Sequence, residues 1–309
     1  MSSKKNLQTL SDIFSKVNMS DLPAMSDHVQ ELLRLLNDDE SSAEEIAGVI
    51  LKDASLATKL LQVVNSAFYS RGIPIATVSR AITTLGLTTV KELTISLALF
   101  EDFIKAGVEK EEISKLLAQC FLSASQAKIL CQVKKINVPE EEVFICTLLH
   151  QLGTLIILVY LPELYRKAQE LINRGCSDDV AAKAVLNDIT FSEVGMEMAR
   201  FWNFPEKIAL SMGNNPPPPD DKFDSTSYLF NVAAFCNRLT WILCYGSSLE
   251  LSELILHYGP IMGLDKQGAF GLANRSLDVV EAISDKIILF GLAKLKIRAK
   301  IRQKETTSH

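Results

Sequence analysis

The chain has few residues that interrupt regular structure. Its 309 residues include only 14 glycines and 10 prolines, and four of those prolines stand in a single run. Gly and Pro are the strongest local breakers of helices and strands, so their scarcity leaves long uninterrupted segments. The composition therefore favours a mostly helical protein.

Positive charge is not in excess. The chain carries 32 Lys and Arg against 37 Asp and Glu, a net charge of −5, with 48% hydrophobic and 22% charged residues. These values are typical of a soluble globular protein and exclude general disorder. They also exclude a globally basic nucleic-acid binder, so we expect no nucleic-acid partner.

Paired cysteines and a recognisable export signal are both missing. The first ten residues, MSSKKNLQTL, have no apolar segment after the two lysines, and no C-x-x-C pair occurs. We therefore expect a reduced, cytoplasmic protein whose thiols are buried and inert. The six cysteines are Cys120, Cys131, Cys146, Cys176, Cys236 and Cys244.

One uncharged segment is long enough to cross a bilayer. Residues 143–162, VFICTLLHQLGTLIILVYLP, contain no formal charge. Polar His150 and Gln151 stand in its middle, its flanks are acidic, and no Lys or Arg anchors either end. We therefore expect no membrane span, and interpret residues 139–160 as one helix buried on every side by other helices.

Helical signals recur along the whole chain and predict an all-α fold. Apolar residues stand three and four apart, and Ser42 with Glu45 and Thr190 with Glu193 form capping boxes. The run GNNPPPPDDKFDS at residues 213–225 forbids a helix. We predict a first helical domain at residues 15–213, a Pro-rich linker at 214–225, and a second helical block with a basic tail at 226–309.

The basic tail holds six Lys and Arg residues between positions 294 and 304. Such a run can meet an anionic lipid surface or nucleic acid. Its charged and apolar residues alternate with a period of two, so in a helix the charges would spread around most of the circumference. We interpret it as a solvated, fraying helix end whose cations complement the helix dipole.

An ordered string of motifs resembles the HDOD family, bacterial signalling relatives of the HD-domain metal-dependent phosphohydrolases. The resemblance covers about residues 22–212 and implies an HD-superfamily-like helical domain. We treat Asp53, Asn65, Ser66, Phe68 and Tyr69 as the family signature and a candidate docking or ligand surface, although a structural role at a helix end is favoured. The motifs are Leu22-Pro23, Asp53-Ala54-Ser55-Leu56, Leu60-Leu61, Asn65-Ser66-Ala67-Phe68-Tyr69, Ala81-Ile82 and Leu85-Gly86.

The sequence departs from active HD hydrolases at the positions that matter for a metal. His150 corresponds to the first residue of the HD pair, but Gln151 replaces the aspartate and offers only a neutral carbonyl to a divalent cation. Phe191 stands two residues before Glu193 where many relatives have a histidine. Asn214 and Asn215 follow Gly213 where relatives often have histidines.

Histidine spacing leads to the same conclusion. None of the four histidines is paired at the spacing that places two ligands on one helix face. We therefore predict no metal ligands, no catalytic residues and no cofactor, and call the set of His150, Gln151, Phe191 and Glu193 the degenerate HD position. We expect the His150 imidazole to be buried and bonded to a neighbour such as Gln151 or Glu193. The histidines are His28, His150, His257 and His309.

The resemblance implies a non-catalytic regulatory module in bacterial signal transduction. Such a module would recruit a signalling protein partner or bind a small ligand or nucleotide in the degenerate pocket. The sequence has no nucleophile elbow, phosphate-binding loop or dinucleotide fingerprint. Two alternatives remain open at this point: a divergent HD-type metal-dependent phosphohydrolase with unusual ligands, and a cyclic-nucleotide-binding sensor.

Overall fold

The structure, a computed structural model, describes residues 27–36, 38, 41–65, 74–134, 136, 138–219, 224–282 and 286–307. Within these ranges all regular structure is helical, which confirms the all-α prediction. The helices are α1 (Asp27–Leu36), α2 (Ala43–Leu51), α3 (Ala54–Val64), α4 (Val78–Leu85), α5 (Leu87–Ala106), α6 (Lys110–Lys134), α7 (Glu140–Leu149), α8 (Leu152–Tyr160), α9 (Pro162–Asn173), α10 (Asp178–Val185), α11 (Phe191–Phe201), α12 (Glu206–Leu210), α13 (Ser225–Cys244), α14 (Ser248–Met262), α15 (Lys266–Ala282), α16 (Lys286–Leu295) and α17 (Ile297–Thr307).

Local capping residues start several of these helices. Both predicted capping boxes are present, Ser42 with Glu45 at the start of α2 and Thr190 with Glu193 at the start of α11. Asp53 caps α3, where its Oδ1 accepts hydrogen bonds from the backbone N–H groups of the second and third helical residues. These caps satisfy backbone donors that the first turn of a helix leaves free.

The long apolar segment is buried but is not one helix. By length and composition Glu140–Tyr160 passes as a membrane-spanning helix, yet 83% of the window is buried inside the protein, which favours a core segment. The expectation of one continuous helix was wrong in the middle. The chain turns at His150 and Gln151, and Gln151 (φ −92°, ψ 16°) separates α7 from α8.

Two glycines bring α8 into direct backbone contact with α11. A Cβ on Gly195 would lie 2.9 Å from the backbone nitrogen of Gly153, and a Cβ on Gly153 would overlap the carbonyl oxygen of Phe191. Any side chain at Gly153 would therefore push the two helices apart. The close crossing fixes the start of α11, and with it Phe191, beside the turn at Gln151.

The C-terminal helices pack on the same core as the N-terminal ones. Helix α6 contacts α7 on one side and α13, α15 and α16 on others. Gly291 allows the backbone of α16 to reach the backbone of Ser114 in α6. One continuous cluster of buried apolar residues includes Phe121 of α6, Leu239 of α13 and Leu292 of α16.

The basic tail is anchored, contrary to the expectation of a solvated, fraying end. Leu295, Ile297 and Ile301 are buried in the core. Lys296 between α16 and α17 has a left-handed backbone (φ 52°), which breaks the helix. Because of this break, Leu295 and Ile297 can both face the core although they are two residues apart, a geometry that a straight helix does not allow.

Candidate functional site

His150 lies at the turn between α7 and α8, deep in the protein, with 6% of its surface exposed. Burial lowers the pKa of the imidazole to about 4, and a hydrogen bond with the backbone of Gly213 opposes that shift only in part. The ring is therefore neutral at pH 7. Its Nε2 atom is buried and has no hydrogen-bond partner. The expectation that Gln151 or Glu193 would bond this ring was wrong, because the partner is a backbone group 63 positions further along the chain.

The other members of the degenerate HD position have different roles. Gln151 Oε1 accepts a hydrogen bond from the Thr154 hydroxyl at 2.9 Å. Phe191 is buried, as an apolar side chain requires. Glu193 completes the capping box of α11, where its Oε2 accepts from the Thr190 N–H at 2.7 Å and from the Thr190 hydroxyl at 2.9 Å. Glu193 is thus committed to starting a helix.

A cleft of about 330 Å³ opens at the turn, and we name it the His150 cleft. It joins the two parts of the chain, since α13 and α14 form one wall and the α7–α8 turn and the start of α10 form the other. The sequence-predicted Asn214 and Asn215 do lie beside His150 and Gln151. The lining residues are His150, Gln151, Ser177, Asp178, Asp179, Asn214, Asn215, Ala234, Asn237, Arg238, Trp241, Leu254, His257 and Tyr258.

Several cleft residues have fixed partners. The Asn214 amide donates to Asp179 Oδ1 at 2.8 Å. Arg238 donates to Glu250 Oε1 at 3.1 Å, and its guanidinium carbon lies 4.3 Å from the ring centroid of Trp241. These contacts hold the rim of the cleft in place.

Asp178 differs from its neighbours. Its Oδ1 is buried without a hydrogen-bond partner, and burial raises the pKa of the carboxyl although the nearby Arg238 cation opposes the rise.

A second, larger cleft of about 580 Å³ shares Gln151, Asp178 and Trp241 with the first. Its lysines are compensated from within the protein. Lys115 pairs with Glu112 at 2.8 Å, Lys294 pairs with Glu111 at 2.8 Å, and Lys300 donates to the carbonyl of Cys244 at 2.8 Å. The basic tail thus contributes two cations to a surface whose charges already balance.

Asp53 and Asn65, the members of the family signature that the structure describes, lie at the two ends of α3 and do not line the His150 cleft. The Asn65 amide donates to the carbonyls of Leu61 at 2.9 Å and Ile75 at 2.7 Å, and its Oδ1 accepts from the Ile75 N–H at 2.7 Å. Asn65 therefore ends α3 and joins it to the chain that precedes α4. Asp53 caps α3, as described above. Ser66, Phe68 and Tyr69 lie outside the described residues.

The residues at the degenerate HD position do not fit a dinuclear metal centre. Such a centre needs several imidazoles and carboxylates converging on two ions. Here the four positions supply one neutral imidazole, one amide, one phenyl ring and one carboxylate that caps α11. Within the described part of the chain, no group of three or more His, Cys, Asp and Glu side chains is arranged to hold a metal ion.

Sequence reasoning missed most of the cleft. Asp178, Arg238 and Trp241 carry no motif, and two of them belong to a helix beyond the proline run. His257 is isolated in the sequence, and only the fold brings it to the same cleft as His150. The partial signal was Gly213-Asn214-Asn215, which the resemblance aligned with ligand positions and which the structure places beside His150.

The architecture belongs to the all-α class with an HD-related fold. The chain is similar to an HDOD domain protein from Geobacter sulfurreducens, with a TM-score of 0.63 at 21% identity over 98% of this chain and 99% of that one. It is also similar to a candidate phosphohydrolase from Shewanella amazonensis SB2B, with a TM-score of 0.64 at 20% identity over 92% of this chain and 97% of that one. At these identities the likeness shows the fold alone.

The family itself follows from the sequence match. The HDOD domain family model matches residues 22–215, and the chain belongs to this family. A protein of uncharacterised function from Treponema pallidum (strain Nichols) is 23% identical over 221 residues, which is 71% of this chain and 42% of that protein. The chain therefore spans less than half the length of this curated relative. The family match confirms the resemblance that the motifs carried.

Proposed function

We propose that the chain is a non-catalytic regulatory module that acts in bacterial signal transduction by binding a protein partner or a small ligand. The observation that supports this most directly is the chemistry of the degenerate HD position. Gln151 is bonded to Thr154, Phe191 is packed in the core, and Asn214 is bonded to Asp179. The three positions at which a likely metal ligand is replaced thus hold neutral side chains with structural partners.

Hydrolysis of a phosphodiester by this fold class requires a water molecule activated by metal ions. Activation depends on anionic and imidazole ligands that hold the cations firmly. His150 offers one nitrogen, with Gln151 beside it in place of an acid. A binding function requires only that the cleft be open and lined with specific polar groups, and the His150 cleft meets both conditions.

We further place the module in the cytoplasm, without nucleic acid as a partner. All six cysteines are free thiols, and five of them are buried. Burial raises the pKa of Cys120 and Cys146 to about 12, so both thiols are inert at neutral pH. The net charge of −5 disfavours binding to phosphate backbones.

Metal analysis combined with a hydrolysis assay tests the proposal. The full chain is purified, incubated with Fe²⁺ or Mn²⁺, desalted and measured for bound metal. It is then assayed with bis(p-nitrophenyl) phosphate and a cyclic dinucleotide, with an active HD-domain phosphohydrolase as the positive control. We expect substoichiometric metal and no turnover above the buffer rate. Two ions per chain together with hydrolysis that EDTA abolishes would establish the phosphohydrolase alternative instead.

A further inference from the structure

Two residues that line the His150 cleft each carry a buried polar atom without a hydrogen-bond partner. The atoms are Nε2 of His150 and Oδ1 of Asp178. A buried polar atom without a partner has lost its hydrogen bonds to water and gained none, so such atoms are uncommon in folded proteins. Two of them on one cleft indicate that the cleft is completed by a molecule that supplies the missing hydrogen bonds.

Both atoms can accept a hydrogen bond. A carboxyl oxygen accepts, and a neutral imidazole has one N–H and one lone pair, so Nε2 accepts in the tautomer that carries its proton on Nδ1. A molecule that brings N–H donors can therefore pair with both atoms.

The charged side chains that line the cleft favour a ligand whose hydrogen-bond donors are positively charged. Asp178 and Asp179 contribute two carboxylates, whereas Arg238 is the one lysine or arginine among the lining residues. Arg238 is already bonded to Glu250, and its guanidinium rests on the Trp241 ring. An anionic ligand would meet two carboxylates without a free cation. A positively charged ligand would instead be attracted by both carboxylates.

The remaining walls suit a small organic body. Aromatic rings of Trp241, His257 and Tyr258 line the cleft, and aromatic rings attract organic cations. Ala234 and Leu254 add apolar surface for methylene groups. The volume of about 330 Å³ is near the lower end of the range for small-molecule sites.

We propose that the His150 cleft binds a small aliphatic amine or guanidine whose N–H groups donate to Asp178 and His150. This inference deepens the proposed function and rests on it, since it names the ligand class that a non-catalytic HDOD module would sense. It also disfavours a cyclic dinucleotide as the occupant. The ligand would bridge the two parts of the chain, because α13 and α14 contribute one wall.

The first test compares ligands that differ only in charge and donors. Binding of 1,4-diaminobutane, agmatine, 1,4-butanediol and a cyclic dinucleotide to the full chain is measured by calorimetry. We expect one of the two amines to bind at one site per chain, and the diol to bind at least about tenfold more weakly, because a charge-assisted hydrogen bond contributes about 1.5–3 kcal/mol. Equal binding of the diol, no binding of either amine, or tight binding of the dinucleotide would each overturn the proposal.

The second test locates the site with matched variants. Asp178→Asn removes one negative charge from the cleft, while Asp188→Asn removes one from an exposed position outside it. We expect Asp178→Asn to weaken amine binding by at least about tenfold and Asp188→Asn to leave it unchanged. Equal effects of the two variants would show a nonspecific charge effect and contradict the assignment.

A third measurement reads the imidazole directly. Long-range ¹H–¹⁵N spectra of the wild type should show the Nε2 resonance of His150 shift when the amine is added, with the assignment made from the His150→Asn variant. An unmoved Nε2 resonance at saturating amine contradicts the proposed contact. Failure of amine binding leaves the metal and hydrolysis results unaffected, so this proposal and the proposed function fail by separate observations.

Discussion

Two titratable side chains respond to pH in opposite directions. Burial lowers the pKa of His150 from 6.5 to about 4. Burial also raises the pKa of Glu92 from 4.5 to about 7, with repulsion from Glu142 adding to the rise and Lys207 opposing it. Both groups are neutral in the folded protein at pH values where the unfolded chain charges them. Their contributions to stability partly cancel between pH 4 and 7, so variants are needed to see either one.

For His150, the folded state resists protonation. Its contribution to stability is complete above pH 6.5 and is lost as the pH falls to about 4, by about 3 kcal/mol in total. We predict that His150→Asn, whose amide can still donate to Gly213, loses that much less stability than the wild type on acidification. Urea unfolding at pH 7, 5.5 and 4 measures the difference. Parallel curves for the two proteins would contradict the prediction.

For Glu92, the folded state resists ionisation. Its contribution is complete below pH 4.5 and is lost as the pH rises through about 7. We predict that the isosteric Glu92→Gln variant is more stable than the wild type by about 2–3 kcal/mol at pH 8 and loses this advantage at pH 4. Thermal and urea unfolding at both pH values test this. Glu253→Gln, at an exposed position, serves as the control and should show no such pH dependence.

Hydrogen bonds of single side chains could be predicted from the sequence where the two partners are close along the chain. Ser42 and Thr190 cap helices as predicted, because each bond reaches only three residues ahead. The partner of His150 could not be predicted in this way. Gly213 lies beyond several intervening helices, and only the packed fold brings its backbone to the imidazole.

At the scale of elements, the crossing of α8 and α11 decides where the degenerate HD position lies. Gly153 and Gly195 allow the two backbones to touch, and this contact holds Phe191 near the turn at Gln151. The sequence offered Gly153 only as an interruption in an apolar run. Its packing role depends on a second glycine 42 positions away, so periodicity within one helix could not reveal it.

A pair of glycine substitutions tests this crossing. We predict that Gly153→Ala destabilises the protein by about 2–3 kcal/mol or more, since the new methyl group overlaps the carbonyl of Phe191. Gly48→Ala, in α2 with open space around it, should instead stabilise by about 0.5–1 kcal/mol through helix propensity. Chemical denaturation of both variants measures the effects. Similar values for the two would show that the crossing is not tight.

At the scale of the whole molecule, the hydrophobic core extends beyond the residues that the family model matches. The HDOD match ends at residue 215, whereas α13, α15 and α16 beyond it cover α6. Hydrophobic patterning predicted helices in this block and a proline boundary before it. It could not predict which surfaces those helices cover, because every amphipathic helix offers a similar apolar face.

This packing predicts that residues 1–215 do not fold properly alone. A chain ending there exposes the faces of α6 that the C-terminal helices bury, and we expect it to lose near-UV dichroism and to bind a hydrophobic dye. In the control, a protease site is inserted after residue 221 and cut in the folded full-length protein. The two fragments should stay associated on a sizing column. Cooperative unfolding of the 1–215 fragment with native dichroism would contradict the prediction.

Asn65 bonds the chain on both sides of residues 66–73, to Leu61 before them and to Ile75 after them. An anchor of this kind ties the exit of α3 to the approach to α4. The spacing of α3 and α4 therefore depends on a single amide side chain.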